Sequence, residues 1–67
     1  MKYHLLFARE TAAGRWSLEF GDHDLSNVKA ERDDYRKRDH CASNLRIVTV
    51  VNDRQSTCIA AIARINS

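Results

Sequence analysis

The stretch Arg15–Phe20 (RWSLEF) alternates a polar residue with an aromatic or aliphatic one at every position. Because successive side chains of a strand point to opposite faces, this alternation predicts a β-strand with one apolar face. The earlier segment Tyr3–Arg9 also has a strand pattern, and Glu10–Gly14 is typical of a hairpin loop. The apolar face of this predicted antiparallel hairpin consists of Tyr3, Leu5, Phe7, Trp16, Leu18 and Phe20.

A helix is predicted after the hairpin. Asp24 or Ser26 can accept hydrogen bonds from the first helical N–H groups, and the helix then runs to about Arg38 with a narrow apolar stripe. Its remaining positions are mostly charged, so the helix should lie at the surface. Asp39–Asn44 is predicted to be a polar loop.

The last third of the chain predicts a strand and a second helix. Leu45–Val51 (LRIVTVV) has the β-branched content of a strand, and Asn52 ends it. Asp53 can cap a helix that begins at Arg54 and runs to about Asn66. The predicted order of elements is therefore ββαβα.

This order predicts an α+β fold in one domain, residues 1–67, built as a two-layer sandwich. We expect a three-stranded, mainly antiparallel sheet with both helices on its aromatic face. If the first helix carries the third strand past the hairpin, the spatial order is 2-1-3, with the third strand antiparallel to the first. Parallel pairing beside the second strand is the alternative.

Composition excludes several classes of protein. The chain has 67 residues, of which 43% are hydrophobic and 30% charged, with no proline, so it should fold rather than remain disordered. No apolar run approaches the roughly 18 residues needed to span a bilayer, and the N-terminal apolar stretch is too short for a signal peptide. Cys41 and Cys58 do not form a disulfide framework. These features predict a cytoplasmic protein that does not bind membranes.

The sequence carries no enzymatic signature. It lacks a glycine-rich phosphate loop, a GxSxG elbow, an HExxH motif and a CxxC pair. His23 and His40 fall at opposite ends of the first predicted helix, too far apart to share a metal ion. A chain of this size is also not expected to form a pocket of a few hundred Å³ beside its core. We therefore predict a non-enzymatic protein with no catalytic residues, no metal and no cofactor.

Charge is predicted to separate towards the two ends of the fold. The N-termini of both helices meet the ends of the second and third strands, which places the acidic residues Asp22, Asp24 and Asp53 near His4. The opposite end collects a set of basic residues that form a possible contact surface for nucleic acid: Arg9, Arg15, Arg36, Lys37, Arg38 and Arg46. Cations in a last helical turn are also expected from the helix dipole alone.

With both helices on one face, the other face of the sheet would be open. We expect it to carry a partner-binding patch rimmed by charge and made of His4, Leu6, Ala8, Val48 and Val50. The alternative is that the third strand turns its other residues outward. Pairing at the edge of the third strand, which lacks a protective proline or lysine, is a further route to association. A host or phage protein, or a second copy of the chain, is the predicted partner.

The segment Trp16–Asp22 (WSLEFGD) and the helix that follows it are similar to small uncharacterised proteins encoded by bacteriophages and prophages. This resemblance covers most of the chain. It implies an accessory protein that binds, and in some cases inhibits, a host or phage protein. The hairpin followed by a helix also resembles antitoxin domains of the HicB type, although the proline that usually follows the strand aromatic is absent here.

Overall fold

The computed structural model describes residues 2–38 and 40–67. Along the chain lie β1 (Tyr3–Ala8), β2 (Ser17–Asp22), α1 (Leu25–Lys37), a short 3₁₀ turn (Ala42–Asn44), β3 (Leu45–Val50) and α2 (Gln55–Ile65). The α+β class and the order ββαβα are confirmed. The predicted loop began at Asp39, which lies outside the described residues.

The sheet has three strands in the order β2-β1-β3, and β1 is antiparallel to both neighbours. This confirms the first of the two arrangements considered from the sequence. The register between β1 and β3 is regular and pairs Leu5 with Val48 and Leu6 with Ile47. The most apolar strand therefore lies in the centre of the sheet, and β3 has one free edge.

A β-bulge changes the predicted face of the hairpin. The register between β1 and β2 shifts so that Leu6 lies opposite Phe20 whereas Phe7 lies opposite Leu18, with Glu19 as the extra residue. Directly opposed residues share a face of the sheet. Leu18 and Phe20 are thus on different faces, and the prediction that the whole aromatic set shares one face is wrong at Phe20.

Both faces of β1 are covered. Leu5, Leu6 and Phe7 are 0% exposed and Ala8 is 4% exposed. Since successive side chains of a strand alternate between faces, four consecutive buried residues require cover on both sides of the sheet. The prediction that both helices lie on one face, leaving the other open, is therefore wrong.

Each helix covers one of these faces. Tyr35 of α1 borders a hollow together with Ala8 and Ser17, so α1 lies over the side of the sheet to which Ala8 points. We call this side the α1 face, and its members are His4, Leu6, Ala8, Ile47 and Thr49. Ala60 and Ala61 of α2 border a groove with Val48 and Val50. We call this side the α2 face, and its members are Leu5, Phe7, Arg46, Val48 and Val50.

The helix starts differ in how they are capped. Asp24 caps α1, and its carboxylate accepts hydrogen bonds from the backbone N–H and the hydroxyl of Ser26, at 2.9 and 2.7 Å. These bonds lower the pKa of Asp24. At α2 the cap position is Arg54, not the predicted Asp53, and the Asn52 side chain accepts from Arg54 N–H and the Thr57 hydroxyl. None of the helices described is long and apolar enough to cross a membrane.

Candidate functional site

The outer edge of β3 carries backbone groups that point away from the sheet. Arg9 N–H donates to Asn44 C=O at 3.0 Å, so these two residues form a hydrogen-bonded pair. In the same register Phe7 pairs with Arg46 and Leu5 with Val48, two and four residues further along, and these are hydrogen-bonded pairs as well. Hydrogen-bonded and non-hydrogen-bonded pairs alternate along an antiparallel ladder. Ile47 and Thr49 therefore belong to non-hydrogen-bonded pairs with β1, and their N–H and C=O groups face outward at the free edge.

An apolar groove lies beside this edge, between β3 and α2. Its volume is about 780 Å³. Val48 and Val50 form its floor, and the small residues Ser56, Ala60 and Ala61 form the helical wall. A groove of this size contradicts the expectation that so short a chain would form no such cavity. It is an open depression along a strand edge, and so differs in shape from an enclosed substrate pocket.

Two arginines provide the charged side chains of the groove. Arg46 on β3 and Arg64 on α2 both line it, and Arg64 is in the last turn of its helix. Neither arginine forms an ion pair with any residue in the described part of the chain. The Arg46 guanidinium instead lies 5.4 Å from the centre of the Trp16 ring. The groove therefore combines aliphatic side chains with hydroxyl side chains such as those of Ser56 and Thr57, and it is positively charged where α2 ends.

α2 covers its side of the sheet loosely. No residue of α2 falls in the buried class, and Ile59 is 57% exposed, whereas Val28 of α1 is 0% exposed. Just beyond α2, Asn66 holds the helix to the hairpin: its side chain accepts from Trp16 N–H at 2.7 Å and donates to Trp16 C=O at 3.0 Å. These two bonds fix one end of the groove.

The structure does not bring the predicted patch together. Leu6 and Ala8 are buried beneath α1, and His4, on the same α1 face, bonds the Thr49 hydroxyl through Nδ1 at 2.8 Å. Val48 and Val50 lie on the opposite face and line the groove. Of the five predicted partner-binding residues, the two valines are thus the ones that reach the candidate site.

The six predicted basic residues fall into three pairs at one end of the fold. Arg9 and Arg46 both lie over Trp16, with the Arg9 guanidinium 4.4 Å from the ring centre. Arg15 borders the hollow on the α1 face, and Arg38 lies over the Tyr35 ring at 5.0 Å. The other two members, Arg36 and Lys37, are exposed in the last turn of α1.

A histidine links three segments at the opposite end. His23 bonds the Lys2 carbonyl through Nδ1 at 3.0 Å and the Asp53 carboxylate through Nε2 at 3.1 Å. Both partners are acceptors, so both ring nitrogens donate only when the imidazole is protonated. The bond to Lys2, followed by that to Asp53, raises the pKa of His23. The Tyr3 ring lies against the imidazole, with the centroids 4.8 Å apart.

Neither a metal centre nor a disulfide is formed by the described residues. Cys41 is exposed and Cys58 is half-buried, and both are free thiols. No group of three or more histidine, cysteine, aspartate or glutamate side chains within residues 2–38 and 40–67 could hold a metal ion. The chemistry that the candidate site offers is thus backbone hydrogen bonding, apolar contact and positive charge.

Sequence reasoning considered edge pairing by the third strand but missed the helical wall of the groove. Ser56, Ala60 and Arg64 recur at intervals of four residues, which places them on one side of α2. This spacing of small residues followed by an arginine was a signal available in the sequence. Comparison of the chain with protein-family models, with curated proteins and with solved structures finds no match.

Proposed function

We propose that this protein is a small non-enzymatic interaction module that binds an extended segment of a protein partner along the free edge of β3. The observation that carries the proposal is the juxtaposition of the outward-facing backbone of Ile47 and Thr49 with the apolar groove beside them. Main-chain hydrogen bonds at a sheet edge supply affinity, and a neighbouring groove that takes alternate side chains supplies specificity.

The edge lacks several of the features that proteins commonly use to prevent strand addition. β3 contains no proline and no lysine, and its register with β1 is free of bulges. Its charged residue, Arg46, points to the α2 face and not along the edge. Val51, just beyond the end of β3, is 73% exposed and extends the apolar surface of the groove.

A host or phage protein is the partner class that we propose, because of the resemblance of the Trp16–Asp22 segment and its helix to phage and prophage proteins. A partner whose strand is held on β3 would lose the use of that strand, so binding would inhibit it. We place this activity in the cytoplasm, where the two free thiols would stay reduced.

Two substitutions at one position test the proposal. Thr49→Pro removes the outward N–H while leaving the hydrogen-bonded pairs between β1 and β3 intact, and proline is tolerated where a strand edge faces solvent. Thr49→Val is the matched control, because it also loses the hydroxyl that bonds His4 but keeps the N–H. Both variants should fold, as judged by circular dichroism and thermal unfolding.

The readout is affinity capture followed by binding measurements with the purified captured protein. We expect a partner that binds the wild type and Thr49→Val with similar affinity and binds Thr49→Pro at least tenfold more weakly. Equal binding to all three proteins would show that the β3 edge is not the contact surface, and the proposal would then be abandoned.

Nucleic acid is the second candidate partner, favoured by the cluster of Arg9 and Arg46 around Trp16. Titration of labelled DNA and RNA at two salt concentrations tests it, since contacts to phosphates weaken steeply as salt rises. Salt-dependent binding that is lost in Arg9→Gln and unchanged in Thr49→Pro would favour this second candidate over strand addition.

A further inference from the structure

We infer that the segment held on β3 is an antiparallel strand with the pattern apolar–x–apolar–x–acidic, read from its N-terminus. This inference rests on the proposed function, because it specifies the chemistry of the partner at the same site. It follows from the register of β3, from the wall of the groove and from the position of its two arginines.

The register determines which partner side chains enter the groove. Arg46, Val48 and Val50 share the α2 face, and their backbone groups bond β1. A strand added at the outer edge would meet these three residues in non-hydrogen-bonded pairs, where opposing side chains approach most closely. An antiparallel strand meets Val50 first, then Val48 and then Arg46. Its side chains at positions one, three and five therefore face the groove.

The groove is apolar at the first two of these positions. Val48 and Val50 form the floor there, and Ala60 and Ala61 stand opposite on α2. Alanine side chains leave room for a branched aliphatic side chain between the helix and the added strand. Each such side chain fully removed from water contributes about 1.5 to 3 kcal/mol. We therefore assign valine, isoleucine or leucine to positions one and three.

The fifth position faces positive charge. Arg46 lies directly opposite it, and Arg64 reaches the same groove from the last turn of α2. Neither has an ion-pair partner within the described residues, and a carboxylate near the C-terminal end of a helix is disfavoured by the helix dipole unless cations offset it. Two unpaired guanidiniums satisfy that condition, so we assign aspartate or glutamate to position five.

Synthetic nine-residue peptides test this inference. In the first, valine occupies positions one and three of the pattern and glutamate position five, with threonine elsewhere. The second has lysine in place of glutamate, and the third reverses the order of the pattern. Binding is followed by NMR titration, with the amide signals of Ile47 and Thr49 as reporters of the edge. We expect the glutamate peptide to bind about five- to tenfold more tightly than the lysine peptide at low salt.

Charge reversal supplies the decisive comparison. Arg46→Glu should abolish the preference for glutamate, because the new carboxylate and the remaining Arg64 guanidinium then face position five together. Arg15→Glu is the control, because it makes the same change in net charge at a residue that borders the hollow on the α1 face. It should leave the preference for glutamate unchanged.

The outcomes separate the two proposals. If the peptides bind at the Ile47 and Thr49 amides, are blocked by Thr49→Pro, and show no preference for charge or order, the edge binds strands but the inferred pattern is wrong. Tighter binding of the reversed peptide would likewise overturn the antiparallel assignment. If no peptide shifts these amides, both proposals fail. A second copy of the chain could occupy the same edge instead. Sedimentation would then show a dimer that Thr49→Pro dissociates, and this result would overturn the acidic pattern.

Discussion

The two helices cover the two faces of one sheet in different ways. α1 approaches all three strands and buries Val28 completely, whereas α2 lies mainly along β3 and has no residue in the buried class. The α1 face thus forms a closed core, and the α2 face keeps a groove of about 780 Å³ at its edge. Because burial of apolar surface supplies most of the stabilising free energy, we infer that α1 holds the fold and α2 shapes the groove.

This division has a cause in the sequences of the helices. α1 has few apolar residues, and it directs them at the sheet face on which Leu6, Ala8 and Ile47 lie. α2 is the more apolar helix, yet its small residues Ser56, Ala60 and Ala61 face the groove and cannot fill it. The helix with more apolar residues therefore leaves more apolar surface accessible.

The largest effect is expected on the α1 face. Leu6→Ala removes a side chain that is 0% exposed, and truncation of a buried leucine costs about 2 to 5 kcal/mol. A domain of this size has a free energy of unfolding of roughly 3 to 10 kcal/mol. The variant should therefore lose a large share of its stability, measured as the free energy of unfolding by urea denaturation.

Ile62→Ala is the matched comparison on the other side. Isoleucine loses the same number of carbon atoms as leucine, but Ile62 is only half-buried on α2. The loss should be about 1 to 2 kcal/mol, since less apolar surface leaves contact with the protein. Equal losses in the two variants would contradict the view that α1 and α2 contribute differently to stability.

A comparable loss of stability, confined to one helix, is expected where α2 is held to the hairpin. Asn66→Ala removes the two bonds to the Trp16 backbone, and each such bond contributes about 0.5 to 1.5 kcal/mol. Amide hydrogen exchange should quicken along α2 and stay slow in α1. Ser67→Ala, which loses a bond to the Arg64 carbonyl, is the control and should leave exchange nearly unchanged. Exchange that quickens equally in both helices would refute a local role for Asn66.

The sequence predicted the elements and the strand order well, because alternation and β-branched content are local signals. It predicted the faces poorly for two physical reasons. The bulge at Glu19 moves Phe20 to the other face, and alternation alone does not reveal a bulge. Leu6 and Ala8 were interpreted as part of an open, partner-binding face, although a central strand that is apolar on both faces requires cover on both.

Of the candidate site, the sequence predicted only the part that β3 contributes. Val48, Val50 and the unprotected edge of the third strand were identified from the sequence, whereas the helical wall was not. The wall depends on where α2 crosses the sheet, and that position follows from contacts far apart in sequence, such as Asn66 with Trp16. The four-residue spacing of Ser56, Ala60 and Arg64 was visible in the sequence, but it does not show which strand that side of α2 faces.

The smallest predicted effect is a pH dependence of stability that arises at the start of α2, the end opposite to Asn66. His23 bonds the Lys2 carbonyl and the Asp53 carboxylate just before α2, and these acceptors raise its pKa in the folded protein. Because the folded pKa lies above the unfolded value of about 6.5, the stabilising contribution is complete below that pH and is lost as the pH rises through the folded pKa.

His23→Gln removes the titrating imidazole and keeps a polar side chain, so comparison with the wild type isolates the contribution of the His23 charge to stability. The difference in free energy of unfolding between wild type and variant should shrink from pH 5.5 to pH 8.5, and salt should reduce it because the pair is exposed. NMR titration of the imidazole should give a pKa above that of an unperturbed histidine. A histidine that titrates at or below about 6.5, or a difference independent of pH, would mean that the start of α2 is held by Asn52 and its bonds to Arg54 and Thr57 alone.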